Sequence, residues 1–328
     1  MPFTSRTLRI TLYALLILAG VVVSAGLAVR QARLHAVEDD AARASAQLSL
    51  YANTLHTLIE RYRALPAVLA LDPELRAALN GPINAQSQDA LNRKLERING
   101  AAQSSTLELL DRHGLAIGAS NWRLPSSYVG HNYGFRPYFL QTIATGVGRF
   151  YAVGVTSGIP GYFLSNAVTG DHGEFLGAMV VKLEFPDLEH EWAQGDDLLL
   201  VSDAKGIVFI ANQQGWRYRE LRPISTQDRA ELLATRQYDK QPLSPLPRRE
   251  LRTFNENSHL TRVDGPDGTA DYLWQSLPLP GENWTLHLLR KPQVASEDTR
   301  NAALAAAGTW LTLVFLGLFL YQRWRLAR

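Results

Sequence analysis

The chain has 328 residues, enough for one large domain or two smaller ones, and a formal net charge of +2. So even a balance excludes the electrostatic footprint of a nucleic-acid binder, and no nucleic-acid partner is expected. The cysteine count is zero, which excludes a disulfide-stapled scaffold, while 46% hydrophobic residues supply an ordinary core with apolar sequence to spare.

The spare apolar sequence lies at the two ends. Ile10 to Val29, "ITLYALLILAGVVVSAGLAV", is a 20-residue run without charge. At about 1.5 Å per residue it is long enough to cross a hydrocarbon core about 30 Å thick. As a cleaved signal peptide it has too long an apolar region and a weak small-residue cleavage signal, so it reads as an anchor. Arg6 and Arg9 precede it, which places residues 1–9 in the cytoplasm by the positive-inside rule.

Residues 30–66 read as a stalk helix. No Gly or Pro occurs from Arg30 to Leu65, and Leu48, Tyr51, Leu55, Leu58, Ile59 and Tyr62 recur at three- and four-residue steps on one face. Span and stalk together predict one helix of roughly 55 residues, on the order of 80 Å long. The stripe is expected to pack on the domain's own sheet and also to serve a homodimer partner. Pro66 interrupts the stalk. "DPELRAALNG" then predicts a short helix, with Asp72 as N-cap, Pro73 in the first position and Gly81 at the end. "SQDALNRKLERINGAA" predicts another, ending near Asn99 and Gly100.

From Thr106 the period changes. "TLELLDRHGLAIGASN" predicts a hairpin with its turn at Asp111 to Gly114, and "DLLLVSDAKGIVFIAN" repeats it about ninety residues later. Asp111 matches Asp203, Gly114 matches Gly206, and Ser120 matches Asn212. Two such copies, each opening a run of further strands, predict a duplicated α+β module, 67–190 and 191–300. "FPDLEHEW" predicts a short helix between the halves. In the second half, strands are expected in "HLTRVDGPDGTADYLWQSLPLPGENWTLHLLR", with turns at Asp264 to Gly268 and Pro280 to Asn283. "QPLSPLPRR", 241–249, predicts an exposed loop or extended segment.

The second apolar run is Ala302 to Tyr321, "AALAAAGTWLTLVFLGLFLY", followed by Arg323, Arg325 and Arg328. Trp310, Tyr321 and Trp324 are expected at membrane interfaces. Both termini then lie inside and residues 30–300 lie in the periplasm of a bacterial inner membrane, with a tail at 322–328.

"YGFRPYF", 133–139, sets Arg136 among four aromatic rings. A buried guanidinium calls for an anion, either a core carboxylate or one that arrives from outside. "RFYAVGVTSGIPGYFLS" predicts two strands joined at Ser157 to Gly161, where Thr156, Ser157 and Gly158 offer two hydroxyls and an uncovered N–H. Lys182 sits in the apolar strand "FLGAMVVKLEF", either reaching the surface or pointing into a pocket. Arg136 and Lys182 together could neutralise a dianion, with Tyr133, Tyr138, Thr156 and Ser157 adding neutral hydrogen bonds. Two cations facing one pocket should reject a monocarboxylate. An amino-acid sensor would need a carboxylate for the ammonium, and Asp171 is the nearest option in the motif region. "DHGE" (Asp171, His172, Glu174) reads as a polar turn rather than a metal site, and "LEHEW" (Glu189, His190, Glu191) as a solvated helix face. No catalytic motif, metal-type histidine spacing or cofactor-binding loop is present in the sequence.

The segment 118–168, through "VGHNYGFRPYF" and "GRFYAVGVTSGIPGYFLS", together with "VVKLEF", resembles the periplasmic sensor region of C4-dicarboxylate sensor histidine kinases. The resemblance implies tandem Cache (PDC-like) modules on a long N-terminal helix, with a membrane-distal module that binds ligand and a membrane-proximal one that does not. It implies that succinate, fumarate or malate is held by residues matching Tyr133, Arg136, Thr156, Ser157, Gly158 and Lys182. Tyr138, Tyr162 and Ser165 belong to the same motifs. No cofactor is implied. The partners implied are a kinase domain with a response regulator, or a dicarboxylate transporter acting as co-sensor. Seven residues follow the second span, so the chain is expected to be either a piece of a longer kinase or a kinase-less receptor.

Overall fold

The computed structural model describes residues 5–292 and 296–328. The expected cytoplasmic N-terminus, 1–9, therefore begins outside the described residues. Helix α1 runs from Ser5 to Arg63, 59 residues in one piece, so the apolar run and the stalk are continuous as expected. Leu48, Leu55, Ile59 and Tyr62 are buried along its stripe, and Tyr51 and Leu58 pack half-buried beside them. Helix α1 is followed by α2 (Leu65–Ala70), with Pro66 in its first turn, and α3 (Pro73–Asn80), capped by Asp72 Oδ1 on the N–H of Glu74. Helix α4 (Ala85–Ala102) starts earlier and ends later than the sequence predicts. Asn84 and Ser87 form a reciprocal capping box at its start, and Gln103 takes the left-handed closing position.

The first sheet holds β1 (Thr106–Asp111), β2 (Ala116–Ala119), β3 (Val147–Val153), β4 (Pro160–Thr169) and β5 (Phe175–Leu183) in the order β2-β1-β5-β4-β3. Between β2 and β3 lies α5 (Pro137–Thr145), a helix to which the sequence reading assigned no element. Period two divides the sheet cleanly. Leu107, Leu109, Met179 and Val181 face the core shared with α1–α4, while Leu110, Ala178 and Val180 face α5 with Tyr138 and Phe139. Glu108 and Lys182 fall on the α5 side by the same alternation.

Helix α6 (Pro186–Trp192) leads to the second sheet. It holds β6 (Leu198–Ser202) and β7 (Val208–Ala211), followed by the two-residue parallel pair β8 (Arg219–Glu220) and β9 (Ser244–Pro245), with α7 (Thr226–Thr235) between them. Strands β10 (Arg248–Asn255), β11 (Ser258–Gly265), β12 (Gly268–Pro278) and β13 (Thr285–Arg290) complete the order β10-β11-β12-β13-β6-β7. Strand β10 begins inside the segment read as an exposed loop or extended segment. Its sequence, "RRELRTFN", lacks apolar alternation because it is an exposed edge, where charge discourages pairing with another chain.

The repeated hairpin is reproduced bond for bond. Asp111 Oδ1 accepts from His113 and Leu115 N–H, and Asp203 Oδ1 accepts from Lys205 and Ile207 N–H. Gly114 and Gly206 both have φ of 81°, a conformation that favours glycine. Ser120 Oγ accepts from Leu107 N–H where Asn212 Oδ1 accepts from Leu199 N–H.

Helix α8 (Ser296–Leu326) carries the second apolar run. Both α1 and α8 contain stretches long and apolar enough to cross a membrane. Trp310 is corrected from an interfacial anchor: it lies mid-run and packs on Gly20, donating from Nε1 to the carbonyl of Ile17 at 3.2 Å. Farther along α1, in the first part of the stalk, Arg290 closes β13 with bonds to Asp197 (2.7 and 2.6 Å), Asp40 (3.2 Å) and Gln47 (2.6 Å).

Candidate ligand-binding site

Arg136 is the N-cap residue of α5, with Pro137 in the first helical position where no N–H is needed. Its side chain is 1% exposed. The guanidinium donates to three backbone carbonyls: Val153 at 2.7 Å, Thr235 at 3.0 Å and Arg236 at 3.1 Å. The last two close helix α7, where unpaired carbonyls and the helix dipole favour a cation. Among the described residues no carboxylate forms an ion pair with it, so of the two anions expected from the sequence the core carboxylate is not its partner. Carbonyl dipoles solvate the charge without cancelling it, and burial pulls its pKa below the usual value.

Around Arg136 the α5 side of the first sheet encloses a cavity of about 10 Å³. Tyr133, Tyr138 and Thr156 line it together with Arg136, so four of the seven site residues expected from the sequence meet there. The Tyr133 hydroxyl and Thr156 Oγ1 are 2.7 Å apart. Burial pushes the Tyr133 hydroxyl pKa well up, so it stays a neutral hydrogen-bonding group. Tyr138 stacks on Phe163 at 5.0 Å.

Ser157, Gly158 and Lys182 form a layer behind that wall. Ser157 Oγ accepts from the Tyr128 hydroxyl at 3.3 Å and from Lys182 Nζ at 3.4 Å. The N–H of Gly158, expected to be uncovered, already donates to the Gly154 carbonyl at 2.7 Å. Lys182 is fully buried and does not snorkel to the surface. Its Nζ donates to Ile159 O at 3.0 Å and to Glu184 Oε1 at 2.6 Å. The second cation is therefore neutralised by the chain's own carboxylate, two residues along the chain and one past the end of β5. Gly161 leaves room for it: a Cβ there would sit 2.5 Å from Lys182 Cε.

The sequence reading missed Glu108 and Tyr128, both of which line the cavity. Glu108 is 2% exposed; its Oε1 accepts from the Tyr138 hydroxyl at 3.3 Å, and its Oε2 has no partner among the described residues. Burial pushes its carboxyl up to about 7, against the opposing pull of Tyr138, Lys182 and Arg136. The only signal in the sequence was an acid inside "TLELLD". It also corrects the view that Asp171 is the nearest carboxylate to the site, since Asp171 lies in the turn between β4 and β5.

Ser165 packs away from the cavity, on Thr142 Oγ1 at 2.7 Å. Tyr162 faces the opposite side and donates to Glu282 at 2.5 Å. Glu189, read as solvated, is half-buried and paired with Arg217. A larger open cleft of about 1250 Å³ is lined in part by Asp40, Asp197 and Arg290, which pair with one another.

No protein-family model matches the chain. It is 35% identical over 309 residues to the C4-dicarboxylate transport sensor protein DctB of Rhizobium meliloti (strain 1021), covering 92% of this chain and 49% of that protein. With the protein of the same description from Pseudomonas aeruginosa, identity is 29% over 269 residues, covering 82% and 41%. The chain thus spans about half the length of the curated relatives it matches. Among solved structures, the sensor domain of the V. cholerae histidine kinase DctB superposes with a TM-score of 0.70 at 27% identity, covering 79% of this chain and 99% of that one.

Proposed function

From the premise that this chain carries a periplasmic sensor region of the C4-dicarboxylate sensor histidine kinase family, we propose that it binds a C4-dicarboxylate such as succinate, fumarate or malate in the cavity beside α5. Occupancy would be relayed across the bacterial inner membrane to a two-component kinase output. The first sheet, within 67–190, is the ligand-binding module, and the second, within 191–300, lies next to the membrane. The chain acts as a homodimer, with α1 and α8 crossing the membrane and residues 30–300 in the periplasm. A response regulator, and a dicarboxylate transporter as co-sensor, are its proposed partners.

One observation carries this reading: a fully buried guanidinium lines a cavity and, among the described residues, donates its hydrogen bonds to carbonyls and to no carboxylate. A charge so placed has a standing electrostatic demand for an anion. The cavity is far too small for a four-carbon diacid in the described conformation. Entry therefore requires the Tyr133–Thr156 contact to open and Lys182 to trade Glu184, which reaches solvent, for the ligand. The new charge-assisted bonds contribute roughly 1.5–3 kcal/mol each and drive that exchange.

The test is a thermal melt of the full chain in detergent with and without succinate. Succinate raises the wild-type melting temperature, and Arg136→Ala loses the shift. Equal succinate binding by wild type and variant in calorimetry removes Arg136 from the site. A second reading, an amino acid as ligand, is favoured by Glu108, which supplies inside the cavity the carboxylate that an ammonium would need.

A further inference from the structure

The charges around the cavity do not yet match a dianion. Arg136 contributes one positive charge, Lys182 is cancelled by Glu184, and an ionised Glu108 cancels Arg136. The surroundings of Glu108 make the imbalance specific. Lys182 approaches from β5, Arg136 and Tyr138 from the start of α5, and Tyr133 and Tyr128 from the segment before it. Strands β2 and β4 and the 154–159 turn contain no charged residue. Glu108 lines the cavity; its Oε1 is engaged by the Tyr138 hydroxyl, whereas its Oε2 is buried and unpartnered among the described residues.

Resting on the dicarboxylate reading above, we infer that Glu108 is protonated in the occupied site and donates from Oε2 to one carboxylate of the diacid, so that binding takes up one proton. The proton passes from solvent to Glu108 Oε2, and the O–H···O⁻ bond forms to the ligand without further transfer. With Glu108 neutral and Glu184 displaced into water, Arg136 and Lys182 leave two positive charges for the two of the ligand. A buried carboxyl poised near neutrality makes this protonation cheap at periplasmic pH.

The experiment is calorimetric titration of the full chain in detergent with fumarate, whose two carboxyls are ionised throughout the range about pH 6 to about pH 8. Two buffers of different ionisation heat are used at each pH. The expected result is uptake of up to one proton at the alkaline end, with affinity falling by up to about tenfold per pH unit there. Glu108→Gln, which keeps a donor and cannot titrate, should bind fumarate at every pH with neither the slope nor the uptake. An unchanged slope in that variant overturns the inference, as does wild-type binding with no proton uptake; both leave the dicarboxylate reading standing. Tighter binding of L-aspartate than of fumarate, lost in Glu108→Gln, also overturns it by assigning the ionised carboxylate to an ammonium. Failure of fumarate to bind at any pH overturns both.

Discussion

The two sheets share one register but fill it differently. Glu108 pairs with Val180 across β1 and β5 as Leu200 pairs with His287 across β6 and β13. Thr106 faces Lys182 where Leu198 faces Leu289, and Phe163 faces Lys182 where Trp274 faces Leu289. The first sheet thus places a carboxylate and an ammonium beside its cavity. At the equivalent points the second sheet has Leu200, Leu289 and the large ring of Trp274, all at most 2% exposed. One scaffold puts buried charge where the other puts apolar bulk. On the proposed reading, binding capacity follows from a few side chains on one sheet face rather than from topology.

The strongest way to break that comparison is to remove the apolar bulk. Trp274→Ala should cost about 3–5 kcal/mol in denaturant unfolding through the cavity it leaves, with succinate affinity unchanged. A change in affinity would show that the second sheet is more than a support.

The next largest effect separates the sheets by pH. Burial raises Glu108 to about 7, so its contribution to stability is full below the unfolded value of 4.5 and is lost as pH rises through 7. His287 is held neutral by burial, and then by the Arg248 charge, which pull it down to about 3. Trp274 Nε1, a donor only, points at His287 Nδ1, which leaves the proton on Nε2 facing Ser202. Its contribution is full above 6.5 and is lost as pH falls toward 3. The contributions are on the order of 3 kcal/mol for Glu108 and on the order of 5 kcal/mol for His287 over their full windows. Unfolding followed from about pH 4.5 to about pH 8 should show Glu108→Gln flattening the alkaline limb and His287→Gln flattening the acid limb. If both variants flatten the same limb, the opposition between the two interiors is wrong.

The smallest effect sharpens the wall of the cavity. Tyr133→Phe removes the 2.7 Å contact to Thr156 and one hydrogen bond to ligand, and should weaken succinate by about fivefold, roughly 1 kcal/mol, in calorimetry. No change would move the ligand away from Tyr133.

Much of this was legible in the sequence because it is local. The Asp111 and Asp203 turns, the α1 stripe and the Asp72 cap each depend on neighbours a few residues away. The pairing of Lys182 with Glu184 was legible too, since they lie two residues apart, yet it was not read. The partners of Arg136 were not legible, because Thr235 and Arg236 lie about a hundred residues away in a helix that gave no strong signal. Glu108 was hidden for a related reason: a lone acid in an apolar strand declares itself only once α5 is folded over it. Strand β10 escaped because an edge strand defended by charge loses the alternation by which strands are recognised.

The ties of Arg290 bear on how a movement can leave the outer part of the molecule. This one side chain joins the end of the last strand to Asp197 before β6 and to Asp40 and Gln47 on the stalk. Sliding the stalk by a helical turn, about 5.4 Å, would pull the Asp40 and Gln47 ends out of reach. The loss is roughly 1.5–3 kcal/mol for each bond to a charged group. Tilting the stalk about Arg290 as a fulcrum would keep them, so at this height the bonds oppose a plunger stroke more than a lever.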